Sequence, residues 1–186
     1  QQAEDGLAYH PPMPAVPGPD EVPDPAPYLA GVLARLPEGV SRFWKAGGPI
    51  EMRPVDPQRY FERQPQEPRQ FIWIRAVGAL PDDPGQHEAA LAFISDISLL
   101  DSTLLAHGLS VFNPKIMPAS LDHALWFHSP FRADAWSRCE QGSRFTGGGR
   151  GLGLLVHGQA AGAAPQTATH PPACPAHPAG PGRSGE

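Results

Sequence analysis

Lysine is nearly missing from this chain. Only Lys45 and Lys115 occur in 186 residues, and Lys plus Arg number 14 against 19 acidic residues, for a net charge of −5. With no basic run to meet phosphates, nucleic acid is excluded as an expected partner. Cysteine is equally scarce. Cys139 and Cys174 make no disulfide framework, and a reducing, cytoplasmic compartment fits them. No stretch approaches the ~18 consecutive apolar residues that span a bilayer, so no membrane partner is expected either. There is no basic-then-apolar leader, and the opening on Gln1 rather than Met reads as a fragment. In excess are proline (25) and glycine (20), concentrated towards the two ends. The ordered part should therefore be smaller than the chain, although 40% hydrophobic residues suffice for one core.

The pattern along the chain predicts an α+β domain between two segments of different material. Residues 1–28, with "YHPPMPAVPGPDEVPDPAPY", read as a proline-rich linker, extended or turning. "PYLAGVLARLPEG" predicts a short helix with Leu29, Val32, Leu33 and Leu36 on one face. "PIEMRPVD" and "RQFIWIRAVGAL" predict strands. A long helix over residues 86–106 should follow, stopped by Gly108 and buried, because it is apolar nearly all round. "ASLDHALWFHSPF" alternates as a strand does, with Leu121, His123, Leu125 and Phe127 on one face. "AWSRCEQGSRFTGGGRGLGL" predicts a strand, a glycine turn at 147–149 and a further strand. The domain is placed at 29–153, and residues 154–186, rich in Ala, Gly and Pro, as a disordered low-complexity tail.

Few residues can carry chemistry. Asp96 lies mid-helix among apolar neighbours, where a carboxylate needs a reason to be. It either bonds a backbone turn or polarises a water in a dry pocket, with a raised pKa. Asp101 is about 140° further round the helix and is expected to be solvated. His123 and His128 are five apart, on opposite faces of the expected strand, which argues against a metal site. Both read as framework residues, and Asp122 and His123 point apart and form no dyad. Ser120 has no G-x-S-x-G elbow around it. "GGGRGLG" lacks the strand, helix and Lys of a phosphate loop, and Cys174 and His177 of "CPAH" sit in a Pro/Ala tract.

"AFISDISLLDSTLLAHG", "ASLDHALWFHSPFRADAW" and "GGRGLG" together resemble the type II acyl-CoA thioesterase family, whose members share a double hotdog fold. "PIEMRPVDP" with "RQFIWIRA" resembles the opening of that family's second hotdog, and "EDGLAYHPPMPAVPGPDEVPD" its linker. The likeness covers roughly residues 4–153. It implies an incomplete hotdog domain, an antiparallel sheet around a central helix, lacking its final strands. It implies hydrolysis of acyl-CoA to fatty acid and CoA by a water held by an aspartate, a Ser or Thr hydroxyl and a glutamine, with no cofactor and no metal. Asp96 matches the aspartate and Ser120, two residues before Asp122-His123, the hydroxyl. The family's glutamine lies in a V-x-Q-E-G type motif that residues 154–186 lack; Gln159 and Gln166 are flanked by Ala and Gly, so the role is carried to neither. The change of composition near 154 reads as a frame error or truncation. Impaired activity is expected for such a fragment, and a homo-oligomer for an intact member. The alternative is a non-catalytic hotdog that binds acyl chains or a partner chain. A hotdog dehydratase fits less well, since His107 lacks the accompanying Asp.

Overall fold

The computed structural model describes residues 14–24, 26–34, 38, 41, 48–113, 115–159 and 166–167. In chain order these form α1 (Ala26–Leu33), β1 (Ile50–Pro54), a 3-10 turn (Pro57–Tyr60), β2 (Arg69–Ala76), α2 (Pro84–Leu99), α3 (Asp101–Leu105), β3 (Ser137–Gly147), β4 (Arg150–Gln159) and β5 (Gln166–Thr167). One antiparallel sheet runs β1-β2-β3-β4-β5. The α+β expectation holds, with α2 packed on one face of the sheet.

β2 decides which residues form the core. Its even positions, Gln70, Ile72, Ile74 and Ala76, face the helix, as period two requires. Ile72 and Ile74 are joined there by Leu91 and Ile94 of α2, Cys139 of β3 and Leu155 of β4. Each such aliphatic side chain contributes about 1.5–3 kcal/mol by leaving water. Trp73, on the other face, is also buried. The proline-rich residues 14–24 lie over that face, where Trp73 Nε1 donates to the Pro17 carbonyl at 2.8 Å and Arg53 Nη1 to the Pro19 carbonyl at 2.7 Å. Arg138 reaches the Pro14 carbonyl. The Arg53 and Arg75 guanidiniums both lie over the Trp136 ring, 4.8 and 4.4 Å from its centre, and Glu51 bonds both cations.

α2 begins at Pro84, two residues before the expected Gln86. Asp83 accepts from the Gly85 N–H at 3.0 Å, and Pro84 occupies the first turn, which has no use for its missing donor. The expected single helix is instead two, divided at Leu100. Ser98, Ser102 and Thr103 hydroxyls donate to carbonyls three or four residues back, an arrangement that bends helices. Nor is α2 buried all round. His87, Leu91, Ile94, Ser95 and Ser98 form one buried stripe, while Ala89, Phe93 and Asp96 are exposed. Gly108 stops the helical run at φ +62°, and a Cβ there would meet the Arg63 carbonyl oxygen at 2.8 Å.

Two other expectations are corrected. Residues 118–128 are extended but belong to no strand among the described residues. The alternation is real further along, with Leu125 and Phe127 turned in and Trp126 and His128 out, yet no described strand pairs with them. The sheet also passes residue 154. β4 pairs with β3 as far as Gln159, opposite Ser137, so residues 154–159 belong to the domain rather than the tail. Inward Leu155 and His157 maintain the period. The rest of the expected tail, Gln166–Thr167 apart, and Leu36 of the expected first helix lie outside the described residues. The turn between β3 and β4 is the expected one: Gly148 and Gly149 have φ of 58° and 73°, which suits a two-residue hairpin. "GRGLG" has a different cause. Cβ atoms at Gly151 and Gly153 would meet Thr103 and Leu99 side chains at 2.9 and 2.7 Å, so helix and sheet can touch only over glycine.

Candidate active site

Asp96 and Ser120 come together. Asp96 projects from the exposed side of α2, and the extended segment after residue 118 carries Ser120 across to it. The Ser120 hydroxyl donates to Asp96 Oδ1 at 2.7 Å, a short charge-assisted bond. Around the pair opens a pocket of about 390 Å³, walled also by Ala92, Phe93, Leu121, Asp122 and His123. Phe93 and Leu121 are 51% and 74% exposed, so its apolar rim faces outward.

The two helix carboxylates have exchanged the environments expected of them. Asp96 is exposed, not set in a dry pocket. Asp101 is the buried one, 8% exposed, and is not solvated. Its Oδ1 accepts from the Val111 N–H at 3.0 Å. Burial pushes its pKa up to about 6, against the lowering effect of that bond. The nearby Tyr60 phenol is pushed well up too, first by burial and then by the Asp101 charge. The buried polar side chains continue through Gln70 and Gln141, joined at 2.8 Å, to Ser98, 2.6 Å from Gln141. None of this chain of groups lines the Asp96 pocket.

Gln159 lies elsewhere. Its amide donates to the Arg132 carbonyl at 2.6 Å and to Ser137 Oγ at 3.3 Å, tying the end of β4 to the turn before β3. That turn is held by Arg132, whose guanidinium bonds Asp134 and Asp82. Asp134 also accepts from the Leu80 N–H at 2.8 Å, and its pKa is held far below the usual carboxylate range, chiefly by Arg132. His128 is exposed and does not line the pocket that His123 lines.

His123 is the residue that sequence reasoning placed in the framework and the structure places in the pocket. Its Nε2 lies 3.0 Å from Ser95 Oγ. A signal was present: Ser95 adjoins Asp96, and His123 follows Ser120 by three in an extended segment.

A helix laid over an antiparallel sheet is the arrangement of a hotdog domain, here with a carboxylate–hydroxyl pair on the helix's outer side. The comparisons carry this to a family. The acyl-CoA thioesterase family model matches residues 45–159, and the chain belongs to that family. It is 38% identical over 168 residues to acyl-coenzyme A thioesterase 8 of Homo sapiens, covering 86% of this chain and 51% of that protein. With acyl-CoA thioesterase 2 of Haemophilus influenzae it shares 29% over 152 residues, 82% of this chain and 53% of that one. Among solved structures, the acyl-CoA thioesterase II TesB2 from Mycobacterium marinum superposes with a TM-score of 0.62 at 32% identity, covering 86% of this chain and 55% of that one. The chain thus spans about half the length of the curated relatives it matches.

Proposed function

We propose that this domain takes part in the hydrolysis of acyl-CoA thioesters, with Asp96 and Ser120 holding the attacking water. The observation that carries the reading is the 2.7 Å bond from Ser120 to Asp96 at an open pocket walled by Ala92, Phe93 and Leu121 on its apolar part and by Asp122 and His123 on its polar part. That bond uses Asp96 Oδ1 and the only hydroxyl proton. Asp96 Oδ2 and the Ser120 lone pairs are left to hold one water through one of its protons, the other proton being free to leave as the water attacks. A water so held directs its own lone pair at a thioester carbonyl carbon. As the C–O bond forms and the C–S bond breaks, CoA leaves as the thiol and the acyl group as the acid. Ser120, its hydroxyl hydrogen engaged with Asp96, serves as a holder rather than a nucleophile, and no acyl-enzyme arises.

The test is release of CoA thiol from a series of acyl-CoA thioesters. Asp96→Asn is expected to lower kcat by about 10²-fold or more, the scale for losing a group that positions the attacking water. Ser120→Ala should lower it in the same direction. Unchanged turnover in a folded Asp96→Asn protein would sink the proposal. A second reading, a domain that binds acyl chains or a partner chain without turnover, is favoured by the exposure of Phe93 and Leu121. Acyl-CoA binding with no thiol release would select it. The intact protein is taken to be a homo-oligomer in a reducing, cytoplasmic compartment. Support for the compartment is the free, buried Cys139, whose thiol is pushed up by burial and kept unreactive. No helix of the described residues is long and apolar enough to cross a membrane.

A further inference from the structure

Ser95 and His123 form a second polar pair beside the first. Ser95 is 1% exposed, too enclosed to meet a substrate itself. Its hydroxyl lies 2.9 Å from the Ala92 carbonyl oxygen and 3.0 Å from His123 Nε2. A carbonyl oxygen has no hydrogen to give, so the contact with Ala92 uses the one proton that Ser95 owns. Towards the imidazole, Ser95 can then only accept. The ring must carry its hydrogen on Nε2, and in the neutral form its lone pair is on Nδ1, since the hydrogen bond of one ring nitrogen fixes the state of the other. His123 is itself exposed and lines the pocket that holds Asp96 and Ser120.

We infer that Ser95 locks His123 as the Nε2–H tautomer, so that Nδ1 serves as the proton acceptor of the Asp96–Ser120 site. The inference rests on the thioesterase reading and adds to it the destination of the proton. Asp96 and Ser120 hold the water. As its oxygen bonds to the thioester carbon, one of its protons passes to Nδ1 and the ring becomes an imidazolium. When the C–S bond breaks, the departing thiolate takes that proton and the ring returns to neutral. Nothing is oxidised or reduced. Asp96 and Asp122 line the same pocket. Ser95 is here a positioning residue, and His123 the catalytic one.

The tautomer is read without any substrate, from the two ring ¹⁵N resonances of His123, assigned by their loss in His123→Gln. An Nε2–H pattern in the unmodified chain, turning to a mixture in Ser95→Ala, is expected. An Nδ1–H pattern, or a mixture that Ser95→Ala leaves unchanged, overturns the lock. A non-hydrolysable acyl-CoA thioether is then added. The Nδ1 resonance should move together with the backbone amides of residues 92–96. Movement of those amides with Nδ1 unmoved overturns the role of His123. In turnover, His123→Gln keeps a group able to bond Ser95 but cannot take a proton. It should lower kcat about 100-fold or more with KM within about threefold, and kcat retained in that variant overturns the proposal. If no pocket amide moves and no thiol is released by the unmodified chain, the thioesterase reading fails by itself, while the tautomer still decides the lock.

Discussion

Replacing Asp101 by Asn should make the protein more stable at pH 8 and leave it unimproved at pH 4. Asp101 is 8% exposed with one hydrogen bond, from Val111, to its carboxylate. Burial raises its pKa from 3.8 to about 6. The folded state therefore binds more protons than the unfolded state between those values. Its contribution is fully present below about pH 3.8 and is lost as pH rises through 6. At 1.36 kcal/mol for each pH unit between the two values, the charged carboxylate costs roughly 3 kcal/mol at pH 8. Asparagine has nearly the same shape, keeps an oxygen for the Val111 N–H and never ionises. Its NH₂ needs an acceptor, and an unpaired buried donor costs about 1–3 kcal/mol. That cost is the same at every pH, so the decisive quantity is the difference between variant and parent at pH 8 minus the same difference at pH 4. Urea unfolding at the two pH values measures it, and all other titrating groups cancel. The expected result is about 3 kcal/mol in favour of the variant at pH 8. A pH-independent difference would show that Asp101 is charged and solvated after all.

His157 should act with the opposite sign. It is 3% exposed, packs edge-on to Phe131 with ring centres 5.2 Å apart, and burial lowers its pKa from 6.5 to about 4. The unfolded state binds the extra proton, so stability should fall by roughly 3 kcal/mol as pH drops from 6.5 to 4. His157→Phe should remove that acid-side loss, and an unaltered slope of stability against pH in that interval would contradict the assignment. Gly153→Ala places a Cβ 2.7 Å from Leu99 Cγ, where α2 meets β4. Overpacking of this kind costs about 1–3 kcal/mol, and a thermal midpoint unchanged from the parent would show that the helix can move away.

Much of the framework is written in period and punctuation. β1, β2 and the β3–β4 hairpin follow from alternating apolar residues and the glycine turn, and the start of α2 from Asp83-Pro84. What misled the reading of the helix is that its buried stripe is made largely of small polar residues. Ser95, Ser98 and Ser102 are 1%, 2% and 0% exposed, while Phe93 is 51% exposed. Hydrophobicity counts serine as surface and phenylalanine as core, which here inverts both. The serines tolerate burial because each hydroxyl donates to a backbone carbonyl three or four residues back. Once the serines mark the inner face, Phe93 and Asp96 must point outward and Asp101 inward, the reverse of the apolar-neighbour argument. The same oversight hid the site's fourth polar group. His123 is informative only because buried Ser95 waits beneath it, and a serine taken for surface gives no reason to look there. Strand 118–128 failed for another cause. Alternation records which side chains turn inward, and Leu125 and Phe127 do; it carries no information on whether a neighbouring backbone is present to complete a ladder. The resemblance located Asp96 and Ser120 through residues around them, but the 2.7 Å bond between them depends on a close approach of helix and extended segment across 24 positions. That approach is a property of the packing of residues 118–123 over the outer side of α2, which no local pattern around either position records.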